Sequence, residues 1–185
     1  MSAVPTPTPA SGATVLPSTE LYGRVTELLH HEAELLDAYR FADWLELFST
    51  EVEYRMPVRT TQFLTDGEGF HDFEFFCDDH ATLLTRVKRL ETEFAWAETP
   101  PSRTRHFVSN LRLAHAAEED GGGEGALLAR VNFMVTRTRQ DLGYQMFTGE
   151  RRDLLLPEGD GFRVRRRTIL VDQTVITATN LSVLF

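Results

Sequence analysis

Trp96-Ala-Glu-Thr-Pro-Pro-Ser-Arg-Thr-Arg-His106-Phe107 joins two segments of different periodicity. Upstream, Leu83, Leu84, Val87 and Leu90 recur at helical spacing, with Asp78 or Asp79 placed to cap the first turn. Downstream, residues 103 to 113 read as a strand. Pro100 and Pro101 cannot extend the helix and force an extended approach to that strand. The chain therefore turns a corner here while carrying Arg103, Arg105 and His106. Such a corner is either the rim of an active site or a surface built to meet another protein.

Working toward the N-terminus, residues 59 to 77 hold Gly67, Gly69 and the aromatic cluster Phe70, Phe73, Phe75 and Phe76, which reads as a long loop over the core mouth. Val52 to Pro57 reads as a strand, and residues 41 to 48 as a short helix burying Phe41, Trp44, Leu45 and Phe48. A longer amphipathic helix starts at Ser18 or Thr19 and runs to about residue 39, with Leu21, Val25, Leu28, Leu29, Leu35, Leu36 and Tyr39 at helical spacing. Residues 1–17 are rich in Pro, Thr, Ser and Ala, and this composition predicts a mobile arm. Residues 18–185 then form one domain.

Toward the C-terminus almost everything is strand. Leu127, Ala129, Val131, Phe133 and Val135 alternate with polar residues, giving one buried face. Asp141-Leu142-Gly143 turns the chain into a return strand at 144 to 156, and Glu158 to Gly161 turns it again into residues 162 to 174. The last strand changes phase: Phe162 and Val164 are apolar at even positions, Ile169 and Val171 at odd ones. A β-bulge explains the change, as does an outer face covered by a partner. Helices gathered at the start and a meander at the end predict an α+β fold. The expected form is a cone, with a strongly curved mixed β-sheet wrapped around the N-terminal helices.

Composition narrows the function. At 185 residues the chain is long enough to bury roughly 70% of its unfolded surface. A net charge of −9 disfavours nucleic acid or an anionic membrane as the main partner. No apolar run approaches the ~20 residues that span a bilayer, and no apolar leader precedes Arg24. With Cys77 as the single cysteine, the expectation is a cytoplasmic protein without disulfides.

His30-His31-Glu34 and His71-Asp72 resemble metal ligands but lack the further carboxylates that a helical di-iron site requires. Asp78-Asp79-His80 is better explained by capping. A Rieske cluster takes two cysteines and two histidines, which one cysteine cannot supply. Neither a G-x-S-x-G elbow nor a P-loop is present. One acid–base alternative is open: Asp43 and His106 facing the cone's mouth, as in a stand-alone isomerase or dehydratase. The arginines Arg103, Arg105, Arg151, Arg152, Arg163, Arg165, Arg166 and Arg167 favour a protein interface, because the planar guanidinium pairs bidentately with carboxylates. A ligand-binding or scaffolding module without an enzyme partner is a third reading.

Four segments carry a resemblance to a known family: Glu32-Ala-Glu-Leu-Leu-Asp-Ala-Tyr-Arg-Phe-Ala-Asp-Trp-Leu-Glu-Leu-Phe48, Tyr54-Arg-Met-Pro-Val-Arg-Thr-Thr61, Thr99-Pro-Pro-Ser-Arg-Thr-Arg-His106, and Val171-Asp-Gln-Thr-Val-Ile with Asn180-Leu-Ser-Val-Leu-Phe185. From about residue 20 onward the chain resembles the β (small) subunit of aromatic-ring-hydroxylating dioxygenases, enzymes of aromatic hydrocarbon catabolism. The resemblance implies an NTF2-like, cystatin-like fold and an α3β3 hexamer in which this chain trimerises and seats a catalytic α subunit. It implies that the Rieske [2Fe-2S] cluster and the mononuclear Fe(II) lie on that α subunit, with electrons arriving from NAD(P)H and a cis-dihydrodiol leaving. It transfers no catalytic, cofactor or metal residue to this chain. The residues expected at partner interfaces are Trp96, Pro100, Pro101, Arg103, Arg105, His106, Arg163, Arg165 and Arg167.

Overall fold

The computed structural model describes residues 12–61, 63, 69–91, 101–139, 143–174, 176 and 183–185. Thr19 caps the first helix, α1 (Glu20–Asp37), its hydroxyl accepting from the Tyr22 amide at 3.3 Å. Val25, Leu29, Leu35 and Leu36 form its buried stripe. A short helix, α2 (Phe41–Leu45), buries Trp44 and Leu45. Two strands follow, β1 (Phe48–Thr60) and β2 (Gly69–Asp78). The next helix, α3 (His80–Glu91), is capped by the Asp79 carboxylate, which accepts from the Thr82 amide at 2.8 Å. That bond holds the Asp79 carboxyl below its ordinary range. The meander completes the chain: β3 (Arg103–His115), β4 (Leu127–Thr138), β5 (Tyr144–Glu158) and β6 (Gly161–Val171).

These strands form one six-stranded sheet in the order β2-β1-β6-β5-β4-β3. Every neighbouring pair is antiparallel except β1 and β6, which run parallel, so the sheet is mixed as expected. Its inward residues, among them Tyr54, Met56, Val131, Phe133, Leu155 and Ile169, share one core with the apolar stripe of α1 and with Trp44.

The structure corrects the sequence reading at three places and decides a fourth between the two explanations offered for it. Residues 69–78, expected within a loop, pair with β1 from Gly69 opposite Thr60 to Asp78 opposite Tyr54. The short helix ends at Leu45, and the strand after it already begins at Phe48, because Phe48 pairs with Val164. Residues 13–15, expected within the mobile arm, are held against β3: the Val15 amide donates to Leu113 O at 2.8 Å, the His115 amide donates to Ala13 O at 3.0 Å, and Val15 is buried. Residues 1–11 lie outside the described ones. The phase change in the last strand is a bulge: Arg166 pairs with Leu154 and Val164 with Leu155, so Arg165 is the inserted residue.

That bulge decides where the arginines go. Before it Val164 points inward; after it Arg167, Ile169 and Val171 do. Arg167 therefore belongs to the core and cannot be the docking residue expected from its odd position.

Candidate functional site

The first polar site lies inside the cone. Glu32 sits on the apolar stripe of α1, while Arg151, Asp153 and Arg167 point inward from β5 and β6; all four are buried. Arg167 Nε donates to Asp153 Oδ1 at 2.9 Å, and its Nη2 reaches Asp153 Oδ2 at 2.9 Å and Glu32 Oε2 at 3.1 Å. Arg151 Nη2 donates to Glu32 Oε2 at 2.7 Å, and Trp44 Nε1 donates to Glu32 Oε1 at 3.0 Å. Two guanidinium groups thus meet two carboxylates in a neutral cluster, which satisfies charges whose burial alone is expensive. Burial pushes the Glu32 carboxyl up, but Arg151 and Arg167 outweigh it and hold it at about 2. Arg167 is held above its ordinary value; burial acts against the charge, and Asp153 and Glu32 override it.

The end of the described chain plugs the same interior. Val183, Leu184 and Phe185 are buried. The Phe185 ring lies 5.5 Å from Phe133 and 5.7 Å from Phe147. Its carbonyl accepts from Tyr54 Oη at 3.0 Å and from Arg167 Nη1 at 2.9 Å, and its amide donates back to Tyr54 at 3.0 Å. Burial pushes the Tyr54 hydroxyl up to about 12, so it stays a neutral donor. The interior that could hold a substrate is packed with the protein's own side chains.

His106 and its neighbours form a second site, at the open end. Asp37, the last residue of α1, accepts from the His106 amide at 3.1 Å and lies 2.6 Å from His106 Nδ1. His106 Nε2 lies 3.0 Å from Leu184 O, a carbonyl that only accepts. Both ring nitrogens are engaged, so neither offers a lone pair to a substrate. Asp43, the expected acid–base partner, instead pairs with Arg40 at 2.6 Å. The Asp43–His106 pairing is therefore not formed. His106 is a structural hydrogen-bonder between helix and tail, and its backbone anchors the edge strand.

The expected interface residues separate. Arg103 and Arg105 are exposed on the outward face of β3, and Arg105 also reaches Asp37 at 3.2 Å. Pro101 is exposed; Trp96 and Pro100 lie outside the described residues. Arg163 bonds Glu158 and the Glu46 and Phe48 carbonyls; Arg165 bonds Glu53 and the Glu51 carbonyl. These two stitch β6 to β1 and remain only half-buried. Glu32 and Asp153 were not singled out from the sequence, and Arg151, counted there among the interface arginines, is instead buried, yet a signal was present. Glu32 falls between Leu29 and Leu35 on the helix stripe, and Arg151 and Asp153 continue the inward alternation of Phe147 and Leu155.

Beside the arginine pair runs an apolar strip that the register assembles. Phe107 lies opposite Met134, Arg105 opposite Thr136, and Thr136 opposite Met146; Arg103 lies opposite Thr138, and Thr138 opposite Tyr144. Phe107, Tyr144 and Met146 are 49%, 63% and 47% exposed.

A Rieske cluster does not fit this chain. One cysteine cannot complete a Rieske cluster, whatever the fold does with it. Among the described residues no three His, Cys, Asp or Glu side chains group to hold a metal. Also among them, no helix is long and apolar enough to cross a membrane.

Comparison with known proteins agrees with this geometry. The chlorobenzene dioxygenase subunit beta of Cupriavidus sp. is 37% identical over 172 residues, covering 90% of this chain and 89% of that one. The biphenyl 2,3-dioxygenase subunit beta of Rhodococcus jostii is 33% identical over 171 residues, covering 89% of each. Among solved structures, naphthalene 1,2-dioxygenase aligns with a TM-score of 0.75 at 23% identity, over 86% of this chain and 83% of that one. A putative scytalone dehydratase of Novosphingobium aromaticivorans aligns with a TM-score of 0.60 at 12% identity, over 83% of this chain and 85% of that one. Both structural likenesses speak for the NTF2-like fold alone. The family model described as "Ring hydroxylating beta subunit" matches residues 31–178, and the chain belongs to that family.

Proposed function

We propose that this chain is the non-catalytic small subunit of a multicomponent aromatic-ring dioxygenase, that it trimerises, and that it seats three catalytic α subunits in an α3β3 complex. In this reading the α subunit carries the Rieske cluster and the mononuclear iron and cis-dihydroxylates the aromatic substrate. The observation that carries the reading is the reversal of inside and outside. The cone's interior is closed by Phe185 and the buried ion cluster, while its outer face shows Arg103, Arg105, Phe107, Tyr144 and Met146 in adjoining rows. Exposed aromatic, Met and Arg side chains are the residues enriched at protein interfaces.

Charge reversal tests the reading. Because Arg105 already pairs with Asp37, Arg103→Glu is the cleaner variant. Co-expressed with its α subunit, Arg103→Glu is expected to shift the complex toward free subunits in size-exclusion chromatography, while its melting temperature alone stays within about 2 °C of the parent. An intact complex from this variant would sink the assignment of that face.

A further inference from the structure

The open end of the cone holds a cleft of about 370 Å³. We propose that this cleft is a small-molecule site that takes a neutral hydroxyarene, a flat apolar ring system bearing one hydroxyl. The proposal stands apart from the assembly reading, since it concerns a different surface.

The cleft's walls come from fixed elements. Leu36 lies in the last turn of α1, Leu90 in the last turn of α3, Thr104 and His106 on the inward face of β3, and Leu184 lines the cleft from the tail. The volume falls in the range that encloses small ligands, and the lining is mainly apolar, which suits an aromatic ring rather than a sugar or a phosphate. A few polar groups meet at one side. Arg137, buried on the inward face of β4, donates from Nε to Ser102 Oγ at 2.9 Å. Tyr39 Oη donates to Ser102 O at 2.9 Å. Thr104 lies in the same wall. A ligand hydroxyl can pair with the Tyr39 and Thr104 hydroxyls while its ring lies against Leu36, Leu90 and Leu184.

Tyr39 shows that the wall is built rather than incidental. It occupies the left-handed position after α1 with φ 58°, a place that glycine or asparagine fills at little cost. A bulky residue there is strained. The strain places the Tyr39 ring edge-on to Phe41 at 6.2 Å and its hydroxyl on Ser102. His106 contributes shape only, because Asp37 and Leu184 occupy both of its nitrogens.

The test is an equilibrium titration of the full chain with 2-naphthol, followed by its fluorescence, with naphthalene as the control lacking the hydroxyl. Saturable one-site binding of 2-naphthol, about tenfold tighter than naphthalene, is expected. Thr104→Phe should fill the cleft and weaken binding at least about tenfold. Tyr39→Gly removes the ring and relieves the left-handed strain, so it should weaken binding while the melting temperature is unchanged or raised; it serves if Thr104→Phe misfolds. Absence of saturable binding overturns the proposal. Equal affinity of parent and both variants overturns it too, by placing the ligand elsewhere. Naphthalene binding as tightly as 2-naphthol overturns the assigned ligand class.

Discussion

Arg167 has no exposed surface, and its guanidinium is shared between Asp153, Glu32 and the Phe185 carbonyl, with the Phe48 ring 5.0 Å away. Removing it leaves two buried carboxylates with Arg151 as their remaining partner in the cluster. Arg167→Ala is therefore expected to lower unfolding stability by about 3–5 kcal/mol in urea titrations. Arg163→Ala, at the half-exposed end of the same strand, should change it by less than about 1 kcal/mol. The same cluster sets a pH dependence. Glu32 is held at about 2 against an ordinary 4.5, so its contribution is full above about 4.5 and is lost as pH falls toward 2. That contribution is on the order of 3 kcal/mol. Urea midpoints measured between pH 6 and 2.5 should fall for the parent, and Glu32→Gln should be less stable at neutral pH but flatter across that range.

At the scale of elements, two bulges and one helix organise the sheet. Insertion of Arg165 turns β6 over, so that Val164 before it and Ile169 after it both face the core. Deleting Arg165 would join Val164 directly to Arg166, so that the Val164–Leu155 and Arg166–Leu154 pairs follow without a break while Val164, Arg167 and Ile169 all stay on the inward face. The expected outcome is a cooperative melting transition that is retained, read by circular dichroism; its loss would contradict Arg165 as the inserted residue. A second irregularity, between Ser109 and Arg112 of β3, holds Asn110 at φ 55°, which asparagine tolerates. The helix α1 also guards the β3 edge: Tyr22 Oη donates to Leu111 O at 3.1 Å, and Asp37 takes the His106 amide. An edge occupied in this way is closed to stray strand pairing.

These elements differ in how far the sequence discloses them. The helices and β4 alternate cleanly, and the phase slip in β6 shows up as displaced apolar positions. β2 was hidden because Phe70, Phe73, Phe75 and Phe76 follow no period of two and flank glycines; only pairing with β1 makes the segment a strand. The ion cluster was hidden for another reason. Glu32, Arg151, Asp153 and Arg167 are charged residues in apolar positions, and composition counts them as surface until the bulge and the helix stripe bring them together.

For the molecule as a whole, the deep interior of the cone is filled by its own side chains. The interior that could hold a substrate is occupied by Phe185, Trp44, Tyr54 and the ion cluster, and His106 has both nitrogens engaged. Phe185→Ala should therefore destabilise the chain by about 3–5 kcal/mol, measured by thermal or urea unfolding, without creating an activity in the isolated chain. What the molecule shows to others is an acidic body with an arginine-flanked apolar strip along β3, β4 and β5. The most direct test of this account is native mass spectrometry of the chain co-expressed with its α subunit, with the iron of each separated subunit assayed afterwards. The account predicts equal numbers of the two chains in one complex, three of each, with all of the iron on the α subunit. A chain that stays alone, or that carries iron itself, would contradict it.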